Sequence, residues 1–225
     1  MSTPSLNRHR VVRRTDLNAD VFELSVERGD VTFTPGENLT VFNGDETVSR
    51  PYSISSGPDE SALRFLIRRL PGGVVSNYLG QLSEGDEICA TPPFGWFRPG
   101  DQQDAPFAFF ATGTGIAPFL SYLRAADTRR PVSLLYGVRH RSDAAHVAEI
   151  RSAVPGFQLF TSREDADDAR RGHLTASLGE LDFADGTHFY LCGLDAMIDD
   201  VTDALEARGV PFAHIHREVF FHATT

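Results

Sequence analysis

Residues 1–100 alternate apolar and polar positions, or run through short β-branched and aromatic stretches, in six places: HRVVRRTDLN, VFELSVER, NLTVF, PYSIS, ALRFLIRRL and DEICATP. A period of two turns one set of side chains to a core and the other to water, so each run predicts a short strand. Gly29-Asp30, Pro35-Gly36, Asn43-Gly44-Asp45 and Gly57-Pro58 punctuate them as turns. Only Val74 to Leu82 reads as a helix. Six short strands with one helix predict a small antiparallel β-barrel.

From Asp101 the period changes. FAFFA, SLLYGV, FQLFT and HFYLC are strand-like and alternate with helix-like segments at 117–126, 143–153, 173–180 and 195–208. This alternation predicts βαβ units around a parallel sheet. The polar stretch Arg98 to Pro106 is the natural boundary, which predicts two domains, residues 1–100 and 101–225.

Composition narrows the chemistry. The 225 residues hold 21 arginines, no lysine and 31 acids, for a formal charge of −10, which argues against a generic basic nucleic-acid binder. A chain without lysine lacks the amine of Schiff-base enzymes, P-loop NTPases and protein kinases. Two cysteines, Cys89 and Cys192, cannot hold an iron–sulfur cluster or a Cys-rich zinc site, and the eight histidines show no metal-ligand spacing. Redox chemistry would therefore require a bound organic cofactor. No run approaches the roughly eighteen apolar residues of a membrane span, and the start MSTPSLNRHRVVRR lacks a signal-peptide pattern, so a cytoplasmic protein without membrane insertion is expected. Arg8, Arg10, Arg13 and Arg14 cluster in seven residues, either as a docking patch for an acidic partner or as a charged strand edge protected against pairing.

Several short motifs carry candidate chemistry. Thr112-Gly113-Thr114-Gly115-Ile116-Ala117-Pro118 follows an apolar strand and opens a helix, where backbone N–H groups meet an anion; it departs from G-x-G-x-x-G at Pro118. Its alternative reading is a tight strand-to-helix turn. Arg50-Pro51-Tyr52-Ser53 sets a phosphate clamp and a stacking ring on one face of a strand, with a hydroxyl beside them. Gly72-Gly73-Val74-Val75-Ser76 is a second glycine-rich helix entry; taken singly, such a glycine pair or tyrosine is more often structural. Ser162 and Arg163, at a strand end, offer the hydroxyl and guanidinium that an adenosine 2′-phosphate requires, unless Arg163 is merely solvated.

In order and spacing these motifs resemble the ferredoxin–NADP reductase superfamily over nearly the whole chain. The resemblance implies an FAD-binding antiparallel barrel joined to an α/β NADP-binding domain. It places Arg50 and Ser76 on the flavin pyrophosphate, Tyr52 on the isoalloxazine, Ser53 near flavin N5, and Gly72 to Val75 in the flavin-phosphate loop. Phe94 and Gly95 resemble the element that closes the barrel. Gly113 to Pro118 and Cys192-Gly193 match the two nucleotide-side motifs, with Cys192 near the nicotinamide, and Ser162-Arg163-Glu164 resembles the NADP-selective element. His173 stands where relatives commonly carry Arg, with Arg171 as the compensating cation. The terminal Glu218-Val219-Phe220 is similar to the family's E-x-aromatic element, which assigns Phe220 to the flavin face, Glu218 to charge stabilisation and Phe221 to the FAD adenosine.

The function implied is hydride transfer from NADPH to FAD, followed by single-electron transfer to ferredoxin or flavodoxin. The alternatives are an oxygenase reductase component or free-flavin reductase of the same fold. From another class comes a non-catalytic electron-transfer subunit, which the absence of a C-terminal cysteine cluster argues against.

Overall fold

The computed structural model describes residues 6–100 and 105–219. Two compact units emerge: one takes the chain up to Trp96 together with Ala117–Ala126, the other Phe97–Ile116 together with Asp127 onward.

The first unit is an antiparallel sheet of six strands, β1 (Asn7–Asp16), β2 (Val21–Glu27), β3 (Asn38–Phe42), β4 (Ser49–Ser53), β5 (Ala62–Arg68) and β6 (Glu87–Ala90), in the order β4-β3-β6-β1-β2-β5. Its two ends approach each other: Ser55 N–H donates to Arg64 O at 2.8 Å, and Arg64 N–H donates to Ser56 Oγ at 3.2 Å. The expected barrel is thus nearly closed. Alternate residues fill it: Phe22, Leu24 and Val26 from β2, Leu39 and Val41 from β3, and Leu63, Phe65 and Ile67 from β5 are all buried. A six-residue helix, α1 (Val74–Leu79), adds Val75 and Leu79 to this core. Helix α2 (Ala117–Arg124) belongs to the same unit, where Arg124 Nη1 donates to Ser55 O at 2.6 Å.

The second unit is a parallel sheet. Strands β7 (Phe107–Thr112), β8 (Ser133–Val138), β9 (Phe157–Thr161), β10 (Arg170–Arg171), β11 (His188–Gly193) and β12 (Ile215–Val219) lie in the order β10-β9-β8-β7-β11-β12, every pair parallel. Successive strands step outward from β7 in one direction, and the chain then returns to its other side as β11. The switch point therefore lies between the carboxyl ends of β7 and β11, where an open α/β sheet leaves a crevice for ligands. Helix α4 (Asp195–Ala207) buries Met197, Ile198, Val201 and Leu205, a helical stripe, against Phe189, Leu191 and Ile215 of the sheet.

Three local features differ from the sequence expectation. The segment 143–153 is α-helical only as α3 (Val147–Ala153): Asp143 ends a separate 3₁₀ turn, and His146 takes a left-handed conformation (φ 52°) just before α3. Residues 174–180 wind as a 3₁₀ helix, and β12 is an edge strand not anticipated from its polar composition. No helix among the described residues is long and apolar enough to cross a membrane.

Candidate functional site

On the barrel, Arg50 and Tyr52 share one face of β4, and Ser53 ends the strand paired with Asn38 of β3. The Arg50 guanidinium donates only to the neighbouring Ser49 carbonyl at 2.7 Å and meets no carboxylate among the described residues, which leaves it available to an anion. Tyr52 packs on the barrel core; burial raises its phenol well above the ordinary value, with Arg50 opposing, so the ring is neutral. Beside Ser53, which is buried, the Asn38 side-chain oxygen is also buried and accepts no hydrogen bond from the described residues. Phe94 bridges to Asn38, and Gly95, at φ +118°, lets the chain pass so close that a Cβ there would lie 3.0 Å from Asn38 Nδ2.

The Gly72–Ser76 loop is tightly built. Gly72 has φ +73°, and a Cβ at Gly73 would lie 2.6 Å from Ser76 Oγ, so a side chain there would displace the Ser76 hydroxyl. Ser76 Oγ accepts the Leu70 N–H at 3.3 Å and keeps its own proton to donate. Val74 and Val75 open α1, with no side-chain cap at Gly73. The free guanidinium, the orphaned Asn38 oxygen and the uncapped glycine loop fit a phosphate-bearing, hydrogen-bonding ligand.

In the parallel sheet, Thr112 ends β7, and Gly113–Ile116 form a 3₁₀ turn running into α2, where Pro118 is the second residue. Gly113 sits at φ +54°. A Cβ on Gly115 would overlap the Cys192 carbonyl, and one on Gly193, at φ +141°, would overlap Thr112. Thr112 Oγ1 accepts the Leu194 N–H at 2.8 Å. The Thr112–Gly115 and Cys192–Gly193 motifs, nearly eighty residues apart, thus meet as one interlocked pair at the switch point. Cys192 is fully buried, and burial, with Glu218 second, raises its thiol well above the ordinary range, so it stays a neutral thiol. Glu218 lies opposite it on β12. Phe220 and Phe221 lie outside the described residues.

At the carboxyl end of β9, Ser162 N–H donates to Val138 O at 3.0 Å and Arg163 N–H to Arg139 O at 2.9 Å. The Arg163 side chain is exposed and meets no carboxylate among the described residues. Arg171 is in register with Thr161 across β9–β10, its guanidinium 3.9 Å from Asp165; His173 is exposed. Glu164 accepts the Arg141 N–H and lies 3.3 Å from His140 Nδ1; the Arg141 bond first and the His140 contact second hold its carboxyl below the ordinary value.

Residues 6–98 match the oxidoreductase FAD-binding domain family and residues 109–203 the oxidoreductase NAD-binding domain family. Over 93% of its length the chain is 34% identical to ferredoxin–NADP reductase B of Sorangium cellulosum, covering 95% of that protein. The chain belongs to the ferredoxin–NADP reductase family. It binds FAD and NAD(P) and is a flavin-dependent NAD(P)H oxidoreductase acting in electron transfer. The reductase is also 31% identical to the toluate 1,2-dioxygenase electron transfer component of Pseudomonas putida, but spans only 61% of that protein. Its fold superposes on the Amycolatopsis cytochrome P450 reductase GcoB with a TM-score of 0.85 at 27% identity, covering 100% of this chain and 73% of that one.

Sequence reasoning about this reductase missed Tyr136 and Asn38. Tyr136 is fully buried in β8; its hydroxyl donates to Gly113 O at 3.0 Å and accepts the Ala145 N–H at 3.3 Å. Its only sequence signal is a phenol inside an otherwise apolar strand. The Arg8–Arg14 cluster is divided. Arg14 donates to Gly80 O (2.5 Å) and Leu82 O (3.1 Å), and Arg8 pairs with Glu46 at 3.0 Å, while Arg10 and Arg13 are exposed and meet no carboxylate among the described residues.

Proposed function

We propose that this reductase takes its electrons from NADPH and delivers them to ferredoxin or flavodoxin, with FAD held by residues 1–100 and the dinucleotide by residues 101–225. The observation that carries the NADPH reading is the exposed, carboxylate-free Arg163 guanidinium beside Ser162 at the carboxyl end of β9, with Arg171 on the neighbouring strand. A 2′-phosphate needs such cations, whereas the carboxylate that would suit a ribose 2′-OH is already engaged: Glu164 binds the Arg141 N–H. For the acceptor, the support is the match to a ferredoxin–NADP reductase over almost all of that protein's length.

When bound, FAD supplies the N5 atom that takes a hydride from NADPH and then releases electrons one at a time. In this reading Arg50 and Ser76 hold its pyrophosphate, one by a charge-assisted fork and the other by its remaining hydroxyl proton. Tyr52 presents a neutral ring for stacking, and Ser53 a hydroxyl near N5. Pro51 fixes the backbone between Arg50 and Tyr52, and Gly72 to Val75 offer backbone N–H groups. On the nucleotide side, Thr112 to Pro118 cradle the pyrophosphate, Cys192 and Gly193 border the nicotinamide without adding a charge, and Arg163 and Arg171 hold the 2′-phosphate. Glu218 stabilises charge at the nicotinamide.

The test is stopped-flow reduction of the holoprotein by NADPH and NADH, then reoxidation by ferredoxins, flavodoxins and free flavins. Faster reduction by NADPH and one-electron reoxidation by a protein carrier support the proposal; preference for NADH, or reoxidation by free flavin alone, overturns it. A role as an oxygenase reductase component is the second reading, favoured by the likeness to the toluate dioxygenase component.

A further inference from the structure

We infer that Tyr136 is a positioning residue of the nucleotide site: its hydroxyl braces the Gly113 turn against the Ala145 segment, and so aims the pyrophosphate loop that serves either dinucleotide. The inference rests on the reading that Gly113 to Pro118 holds the dinucleotide.

The hydrogen bonds have only one possible polarity. Ala145 N–H can only donate, so the Tyr136 oxygen accepts from it at 3.3 Å, and its single proton goes to Gly113 O at 3.0 Å. The ring is fully buried in β8, so no water competes for these groups. Gly113 O and Thr114 N–H share one planar trans peptide and point in opposite directions. Holding the carbonyl inward to Tyr136 therefore turns the Thr114 N–H outward. Gly113 needs this restraint, since a glycine at φ +54° has wide conformational freedom and would otherwise let that peptide rotate.

The other end of the brace leads to the adenosine side. Ala145 follows the 3₁₀ turn Arg141–Asp143, which is closed by His140 N–H donating to Asp143 Oδ2 at 3.1 Å. The same turn's Arg141 N–H is bound by Glu164, whose own carbonyl accepts the Thr161 hydroxyl at 2.8 Å. Arg163 lies between Thr161 and Glu164. A continuous set of hydrogen bonds and short chain segments thus runs from Gly113 through Tyr136 to Arg163.

Because NADP and NAD share the pyrophosphate, loss of the brace should weaken both alike. In the FAD-loaded Tyr136→Phe variant, titration followed by flavin difference absorbance should show Kd for NADP⁺ and for NAD⁺ rising by the same factor, about five- to tenfold for a buried pair left unmatched. FAD content and kcat at saturation should hold. A purely structural role would lower Tm and leave both Kd values unchanged, and that result overturns the inference. So does a change confined to one dinucleotide. Hydrogen exchange of the wild-type holoprotein provides a measurement independent of the variant's folding. NADP⁺ should slow exchange at the Thr114 and Ala145 amides together, relative to core amides such as Leu134. Slowing at residues 113–118 without Ala145 overturns the brace alone, whereas no slowing at 113–118 overturns the loop reading beneath it.

Discussion

Replacing Arg163 with Ala separates dinucleotide selection from dinucleotide binding. Its guanidinium is exposed and pairs with no carboxylate among the described residues, so its removal should change the folded protein's stability by no more than about 0.5 kcal/mol. All of its effect should then fall on the 2′-phosphate. A charge-assisted hydrogen bond contributes about 1.5–3 kcal/mol, and solvent screening favours the lower part of that range. Arg171 remains, but shares its charge with Asp165 at 3.9 Å and compensates only in part. The expected loss in kcat/KM for NADPH is therefore about ten- to thirtyfold, with NADH within about twofold of wild type. Initial rates with both donors, repeated at high ionic strength, provide the assay. The NADPH penalty should shrink as salt already screens the wild-type contact. Equal losses for both donors, or none for either, would refute the assignment of β9's carboxyl end to the 2′-phosphate.

Arg50→Ala should weaken FAD binding by about 1.5–3 kcal/mol while leaving the barrel folded, because among the described residues its guanidinium makes no ion pair and donates to the adjacent Ser49 carbonyl; FAD retained per chain after dialysis reads the loss. In the arginine cluster, Arg10→Ala with Arg13→Ala should slow reduction of an acidic carrier protein in a salt-dependent way with Tm unchanged. Arg14→Ala should instead cost about 1–2 kcal/mol of stability, measured by denaturant unfolding, by stranding the carbonyls of Gly80 and Leu82. His188 and His216 are stacked and bonded, Nδ1 to Nε2 at 3.0 Å, with His214 4.2 Å from His188; burial first and neighbouring imidazoles second hold both below the ordinary 6.5. The unfolded chain then takes up protons first, so their contribution is complete above about pH 6.5 and is lost as pH falls below it. Tm should drop over that window, and less steeply in His216→Phe, which keeps the stack on Tyr190; identical slopes in the two proteins would contradict this.

The barrel was readable because its strands alternate and its turns carry glycine, proline or asparagine, and the parallel sheet because apolar runs such as FAFFA are buried on both faces. Strand β12 was not, since Ile215–Val219 carries His216, Arg217 and Glu218 on an edge where one side faces water. The interruption at His146 depends on a left-handed residue that no local pattern signals. Among site residues, Arg50, Ser76 and Arg163 announce themselves by chemical type. Tyr136 does not: a phenol in an apolar strand reads as core, and its role depends on Gly113 and Ala145, which only the folded sheet brings to it. The Arg8–Arg14 cluster shows the converse, for charge spacing alone did not reveal that Arg14 faces carbonyls rather than a partner.

The contact between the Gly115 and Gly193 backbones has a consequence for anyone recombining members of this family. Neither β7's loop nor β11's loop is a transferable part, because each is shaped by the missing side chain of the other and Thr112 is seated against both the Gly193 Cα and the Leu194 amide. A chimera that imports Thr112–Gly115 from one parent and Cys192–Leu194 from another inherits two halves of a joint cut to different templates. Crossovers placed so that both segments travel together should yield nucleotide-competent hybrids far more often than those that divide them.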